Sequence, residues 1–222
     1  MHLILNIPHF IIYLWTFYLP LLYLNWVILM KIDAVSKKIE NFIVAHIEEK
    51  DSIKIETIRY GIKVFLINAY KVPIIFIIAY MLGIFKYTII SYACFSALRT
   101  FAGGIHAERW ITCIVSSMVV IYSPVYLSIY LNKSHNIILF TITLIIIALY
   151  APMDTKKKPI QSYKLKSDLK SDSLLVVMTI FVASIFLPES ISSIMVISIF
   201  IESLLVLPIT YKIFRKESSS YA

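Results

Sequence analysis

The sequence predicts an all-α, polytopic integral membrane protein of about six transmembrane helices, with amphipathic helices ahead of the first span. Three observations carry that prediction. Of the 222 residues, 59% are hydrophobic and 15% charged, with a mean hydropathy of +0.83, whereas soluble domains are roughly half apolar and about a quarter charged. Glycine (4) and proline (8) are scarce, which leaves little material for long loops. The charges gather in clusters, and the apolar residues between them come in blocks long enough to cross a bilayer.

In chain order, Leu3 to Met30 is an apolar block of spanning length, interrupted by Asn6, Pro8, His9, Pro20 and Asn25. It does not read as a secretory signal, because no Lys or Arg precedes it and no small-residue cleavage site follows. Lys31 to Lys63 alternates charges with Ile32, Val35, Ile39, Phe42, Ile43 and Ile47. That spacing is close to helical and predicts one or two amphipathic helices lying on the membrane surface. Spans are then expected at Ile62 to Leu82, Tyr87 to Phe101, Trp110 to Leu131, Ile137 to Pro152, Ser173 to Leu187 and Ile191 to Tyr211. The second of these is short and carries Arg99 near its end, which predicts a tilted or partly inserted helix. Asp154 to Asp172 is the main polar loop and holds Lys156, Lys157, Lys158, Lys164, Lys166 and Lys170.

A net charge of +8 would raise nucleic acid as a partner for a soluble chain. Beside membrane spans, Lys and Arg chiefly record orientation and contact with anionic lipid, and no groove-reading or base-stacking motif is present. No nucleic-acid partner is therefore expected; membrane lipid is. The Lys31 to Lys63 segment, Arg99, Arg109, the Lys156 to Lys170 loop, Lys212, Arg215 and Lys216 fall on one side of the six spans, and Lys86 and Lys133 on the other. That imbalance makes the first side cytoplasmic and returns the C-terminus to it. A seventh span at Leu3 to Met30 would place the N-terminus outside. Cys94 and Cys113 both sit in apolar segments, so no disulfide framework is expected.

The run from Ser96 to Cys113 breaks the apolar pattern where two spans meet. It concentrates Arg99, the pair Gly103-Gly104 (half of all the glycine), His106, and a cysteine seven residues after that histidine. A thiol and an imidazole are the minimum parts of a cysteine nucleophile: the imidazole accepts the thiol proton and the sulfur attacks a carbonyl carbon. Each part has a plainer reading as well, since cysteine is commonly a small buried hydrophobe, double glycine is commonly a turn, and Arg99 can snorkel to the headgroups.

In an unbroken helix, residues seven apart are separated by about 10.5 Å along the axis, beyond the ~3 Å that proton transfer requires. His106 and Cys113 acting together therefore cannot share one straight helix. Gly103-Gly104 permits backbone conformations closed to other residues and offers a way to fold His106 back over the start of the next helix. Cys113 would then lie near a helix N-terminus, where the dipole and Arg109 favour a negative sulfur, while burial opposes it. No metal is expected: a zinc site needs about four ligands, or three and a water, and only His106, Glu108 and Cys113 cluster here. No other cofactor is expected either.

These residues resemble the accessory gene regulator B (AgrB) family of membrane peptidases. The resemblance rests on Arg99, the Ala-Gly-Gly-x-His-Ala stretch from Ala102 to Ala107, and Cys113 seven residues after His106. A second match runs from Ala151-Pro152 through Asp154-Thr155 to Lys158-Pro159, where Lys157 occupies a position at which the family commonly has Asn. Similarity extends over roughly Lys31 to Lys216. The organisation implied is a hydrophobic N-terminal extension over 1–30, an AgrB-like membrane peptidase domain over 31–216 and a cytoplasmic tail over 217–222. AgrB-like chains generally begin close to an amphipathic segment, and one begins here at Met30-Lys31. The extension is thus expected to be either an extra span or the product of a start assigned to Met1 instead of Met30.

What the resemblance implies is a cysteine endopeptidase that processes an AgrD-type precursor peptide into a cyclic quorum-sensing pheromone. Cys113 would be the nucleophile and His106 the general base, with Arg99, Gly103 and Gly104 supporting them. Glu108 and Asp154 are both candidates for orienting His106. Cleavage would leave a thioester on Cys113, which an internal Cys or Ser of the peptide would attack to close a thiolactone or lactone ring. Such precursors carry an acidic C-terminal portion, and Lys156, Lys157 and Lys158 are the expected substrate-binding residues at the cytoplasmic face. The resemblance also implies a homodimer, although no Gly-x-x-x-Gly motif supports one. Two other classes remain open at the level of sequence. One is a small transporter or channel component with a polar path through Arg99, His106 and Lys71; the other is a non-catalytic membrane adaptor. Neither has any need of the Cys113 thiol.

Overall fold

An apolar surround demands that backbone hydrogen bonds close within each segment, and all regular structure among the described residues is helical. The structure is a computed structural model and describes residues 38–39, 41–42, 52–104, 110–153 and 162–210. Its helices are α1 (Ser52–Met81), α2 (Phe85–Ala102), α3 (Trp110–Leu127), α4 (Lys133–Tyr150), α5 (Tyr163–Ile185) and α6 (Glu189–Val206). Each falls where an apolar span is expected from sequence. Two contain windows long and apolar enough to cross a membrane by length and composition, Val64–Met81 and Glu189–Val206, while Thr112–Leu127 and Ser134–Tyr150 are shorter apolar helices. The hydrophobic extension over 1–30 and most of the expected amphipathic segment lie outside the described residues.

Two boundaries differ from the sequence expectation. α1 starts at Ser52, so Lys63 lies inside a helix and does not mark a junction. α5 starts at Tyr163, so Lys164, Lys166 and Lys170 belong to its first turns and not to a loop. Local chemistry explains the second: the Ser162 side chain accepts from the Leu165 backbone N–H at 3.4 Å and caps the helix. Lys164 and Asp168 follow at helical spacing for an ion pair. Hydrophobicity marks where a helix can be buried, and capping marks where it begins.

The chain divides at Ala69–Tyr70 into two compact units. Of the first, the structure describes chiefly the N-terminal part of α1, where Phe65 is exposed. The second runs from Tyr70 and contains α2 to α6. There α6 is the central helix, packed against α2, α3, α4 and α5. Ile194, Ile197, Ile199 and Val206 are buried along it, interleaved with Ser192, Ser193, Ser198, Glu202 and Ser203. Cys94, Leu98 and Ala102 of α2, Ile147 of α4 and Val177 of α5 pack with Met195, Ile199 and Val206 in one apolar cluster. Phe140 of α4 stacks on Phe181 of α5, with ring centroids 3.7 Å apart.

The outward faces are apolar. Ile138, Ile142, Ile145 and Leu149 form an exposed stripe along α4, and Leu175, Met178, Val182 and Ile185 form another along α5, each at the spacing of one helical face. Contiguous exposed apolar surface of this kind, combined with a hydroxyl-rich interior, is consistent with a membrane helical protein. The turn from α1 to α2 is tight. Gly83 N–H donates to Tyr80 O at 3.1 Å and Ile84 N–H to Ala79 O at 3.0 Å, a Schellman termination with Gly83 at φ 71°.

Candidate active site

Cys113 lies three residues after the first described residue of α3. Its neighbours separate it from the other cysteine. Cys94 and Cys113 are each 7% exposed, but Cys94 belongs to the apolar cluster, whereas Cys113 faces Lys71 of α1. Lys71 Nζ stands 3.9 Å from Cys113 Sγ and donates to Ser117 Oγ at 3.1 Å. Cys113 and Ser117 are four residues apart on α3 and so share a face, and Lys71 bridges them. One turn along α1 the register repeats: Tyr122 Oη donates to the Ile75 carbonyl at 2.7 Å. Two side-chain bonds, Lys71 to Ser117 and Tyr122 to the Ile75 carbonyl, therefore tie this part of α1 to α3.

A second group is built around Arg99, in the last turn of α2. Its Nη1 donates to both carboxylate oxygens of Glu202, at 3.1 and 3.2 Å. The Glu202 side chain is fully buried in α6. The guanidinium also lies over the Phe95 ring, 5.6 Å from its centroid, in cation–π range.

The Gly103-Gly104 pair wraps this guanidinium. Gly103 ends α2 at φ 74° with its N–H donating to the Arg99 carbonyl at 3.1 Å, and Gly104 sits at φ 137°. Both conformations are ones that residues with a side chain rarely adopt. A Cβ at Gly104 would stand 2.5 Å from Arg99 Nη1 and 3.2 Å from Glu202 Oε1, so any other residue would require the guanidinium to shift from its place against Glu202. The same turn meets the segment after α4. The Met153 N–H donates to the Ala102 carbonyl at 2.8 Å, and a Cβ at Gly103 would stand 3.2 Å from the Met153 carbonyl oxygen. The two stretches that stand out in the sequence, around Gly103-Gly104 and around Ala151-Pro152, thus meet in space.

Of the site residues expected from sequence, the structure describes Arg99, Gly103, Gly104 and Cys113. His106, Lys156, Lys157 and Lys158 lie outside the described residues, as do Glu108, Arg109 and Asp154. Among the described residues, no group of three or more His, Cys, Asp or Glu is arranged to hold a metal ion. Two contributors were not anticipated. Glu202 is the lone acid within the long apolar run from Ser190 to Thr210, and an ionisable residue inside such a run marks a functional or paired site. Lys71 was noticed only as part of a transport path, and its place beside Cys113 depends on how α1 packs against α3.

The sequence profile of accessory gene regulator B matches residues 36–206. The chain is 33% identical over 174 residues to an AgrB-like protein of Clostridium acetobutylicum, covering 77% of this chain and 83% of that one. It is 32% identical over 163 residues to accessory gene regulator protein B of Staphylococcus aureus strain Newman, covering 72% and 86%. To the protein of the same name from Staphylococcus haemolyticus it is 28% identical over 183 residues, covering 80% and 96%. No solved structure matches. The matched region takes in all six helices, the Arg99–Glu202 pair with its glycines, and the Lys71–Cys113 contact, and on these grounds the chain belongs to the accessory gene regulator B family.

Proposed function

We propose that this protein is a membrane cysteine endopeptidase that cleaves an AgrD-type precursor peptide and closes it into a cyclic quorum-sensing pheromone. Family membership supports a role in accessory gene regulation. The observation that carries the finer reading is the contrast between two equally buried cysteines: one sits in an apolar cluster, the other beside an ammonium and a hydroxyl. A structural cysteine needs no such company; a sulfur that must carry negative charge does.

In this reading His106 accepts the Cys113 proton, and Sγ attacks the carbonyl carbon of the scissile peptide bond. Collapse of the tetrahedral adduct breaks the C–N bond, and His106 returns the proton to the departing amine. The N-terminal part of the precursor remains as a thioester on Cys113. An internal thiol or hydroxyl of the peptide then loses its proton to His106 and attacks the thioester carbonyl. The C–S bond breaks, the ring closes, and the proton passes back to the Cys113 sulfur. The thioester conserves the acyl activation that hydrolysis would discard, and a partly dry site disfavours water as the competing nucleophile.

Six spans over 62–211, with the site and Lys156, Lys157 and Lys158 on the cytoplasmic side, complete the proposal. The three lysines would hold the acidic portion of the precursor. The test is mass spectrometry of the protein in lipid with a candidate AgrD-type precursor peptide. The unaltered chain should release a C-terminal fragment and carry an acyl adduct on Cys113, while Cys113→Ala and His106→Ala should do neither. Equal processing by all three overturns the reading. Replacing the three lysines together by Gln should raise KM and spare kcat.

A further inference from the structure

We propose that Lys71 is a catalytic residue of this site: held by Ser117, its ammonium supplies the positive charge that balances the Cys113 sulfur whenever that sulfur is an anion. The inference rests on the peptidase reading for its chemistry, and on geometry for its assignment. Lys71 is only 8% exposed, within an apolar span, where an ammonium is costly and is retained for a purpose. Among the described residues no carboxylate pairs with it, since Glu202 is engaged by Arg99. What faces it is Ser117 Oγ at 3.1 Å and Cys113 Sγ at 3.9 Å.

A neutral hydroxyl does not neutralise an ammonium. Among the described residues, the neighbour that can lose a proton and become its counter-ion is the thiol. The Tyr122–Ile75 bond one turn away holds the register, so Nζ does not have to find the sulfur by a random search. An ammonium is also suited to the task as a compact charge with three rotatable donors. It can keep its bond to Ser117 while following negative charge on Sγ. That charge arises twice in the cycle. The first occasion is when His106 has removed the thiol proton and the C–S bond is about to form. The second is when ring closure breaks the C–S bond and the electron pair returns to sulfur. The same ammonium serves both steps, with no proton of its own transferred.

The test measures the rate at which iodoacetamide alkylates Cys113 in the full chain in lipid at neutral pH, followed by peptide mass spectrometry. No precursor is needed, and Cys94, equally buried, is an internal control on folding. Lys71→Gln should slow Cys113 alkylation by about tenfold or more, as expected when a sulfur anion loses an adjacent counter-charge. Lys71→Arg should stay within about threefold of the unaltered rate, because the charge is kept. In both variants the Cys94 rate should be unchanged. A Cys113 rate within about twofold in Lys71→Gln, with Cys94 unchanged, overturns the proposal.

Should Lys71→Gln loosen the fold and raise the Cys94 rate, Ser117→Ala decides. It keeps the ammonium but removes its anchor, and should slow Cys113 about threefold with Cys94 steady; no change overturns the proposal. Failure of the peptidase reading is seen separately, as precursor processing that survives Cys113→Ala.

Discussion

Gly83 and Gly104 share a backbone trait and differ in what surrounds them. Both sit at positive φ, so alanine should cost about 1–2 kcal/mol in strain at Gly83 and about 1–3 kcal/mol at Gly104. A Cβ at Gly83 meets nothing within 4 Å, whereas one at Gly104 collides with the Arg99 guanidinium. Gly83→Ala should therefore lower thermal stability in detergent and still process precursor, while Gly104→Ala should lose processing as well. The pair of variants separates strain from displacement of Arg99. The ion pair itself can be probed in the same way. Glu202→Leu strands a cation against a buried face and should cost about 3–5 kcal/mol, whereas Arg99→Leu combined with Glu202→Leu should recover most of that loss. Chemical unfolding in mixed micelles measures both. The double variant should remain inactive on precursor, because the glycine turn would no longer have a guanidinium to close around.

Among the elements, α6 sets the interior. Its hydroxyls reach other helices: Ser198 donates to Ser91 of α2 at 3.1 Å, and Asn136 of α4 donates through Nδ2 to Ser192 and Ser193 at 3.3 and 3.2 Å. Such bonds hold helices together where apolar contact alone gives no preference over lipid. Asn136 Oδ1 is buried with no hydrogen-bond partner among the described residues, so the amide contributes less than its two donated bonds imply. Asn136→Leu should accordingly cost no more than about 1 kcal/mol in unfolding measurements. The existence and order of these helices were legible from sequence because each is an apolar block between charge clusters. Their pairing was not. The neighbours of Lys71 and Glu202 are set by interhelical register, 42 and 103 residues away along the chain, and no local periodicity encodes that. The start of α5 was missed for a different reason: the Ser162 cap and the charged first turns carry no hydrophobic signal.

At the scale of the whole molecule, the described residues bury polar groups alongside an apolar cluster and turn apolar faces outward, unlike a soluble domain. Serines, Asn136, Lys71 and Glu202 are inside, and isoleucine and leucine stripes are outside. The proposed orientation rests on the charge count and can be checked at two exposed positions, Tyr130 after α3 and Tyr163 at the start of α5. In intact cells an impermeant maleimide should label Tyr130→Cys, and should label Tyr163→Cys only after lysis. The opposite pattern would invert the assignment, and labelling of both from outside would remove the six-span arrangement. Of the site, the sequence made the glycine pair, Arg99 and Cys113 visible because they interrupt an apolar pattern. It could show neither the carboxylate that neutralises Arg99 nor the ammonium that faces the thiol, since each reads in isolation as one stray charge in a span.

The hydrogen bond from Met153 to the Ala102 carbonyl also bears on how the protein could be recombined with its relatives. It joins the stretch that leads toward His106 to the stretch that leads into the triple-lysine segment, so the two leave the helical body from a common root. A chimera that exchanges only the residues between Met153 and Ser162 would keep that root intact, and under the proposed function is expected to transfer a relative's preference for its precursor. One that cuts between Ala102 and Gly103, or upstream of Ala151, would draw the two sides of that contact from different parents. A single backbone contact thus marks where such an exchange is best seamed.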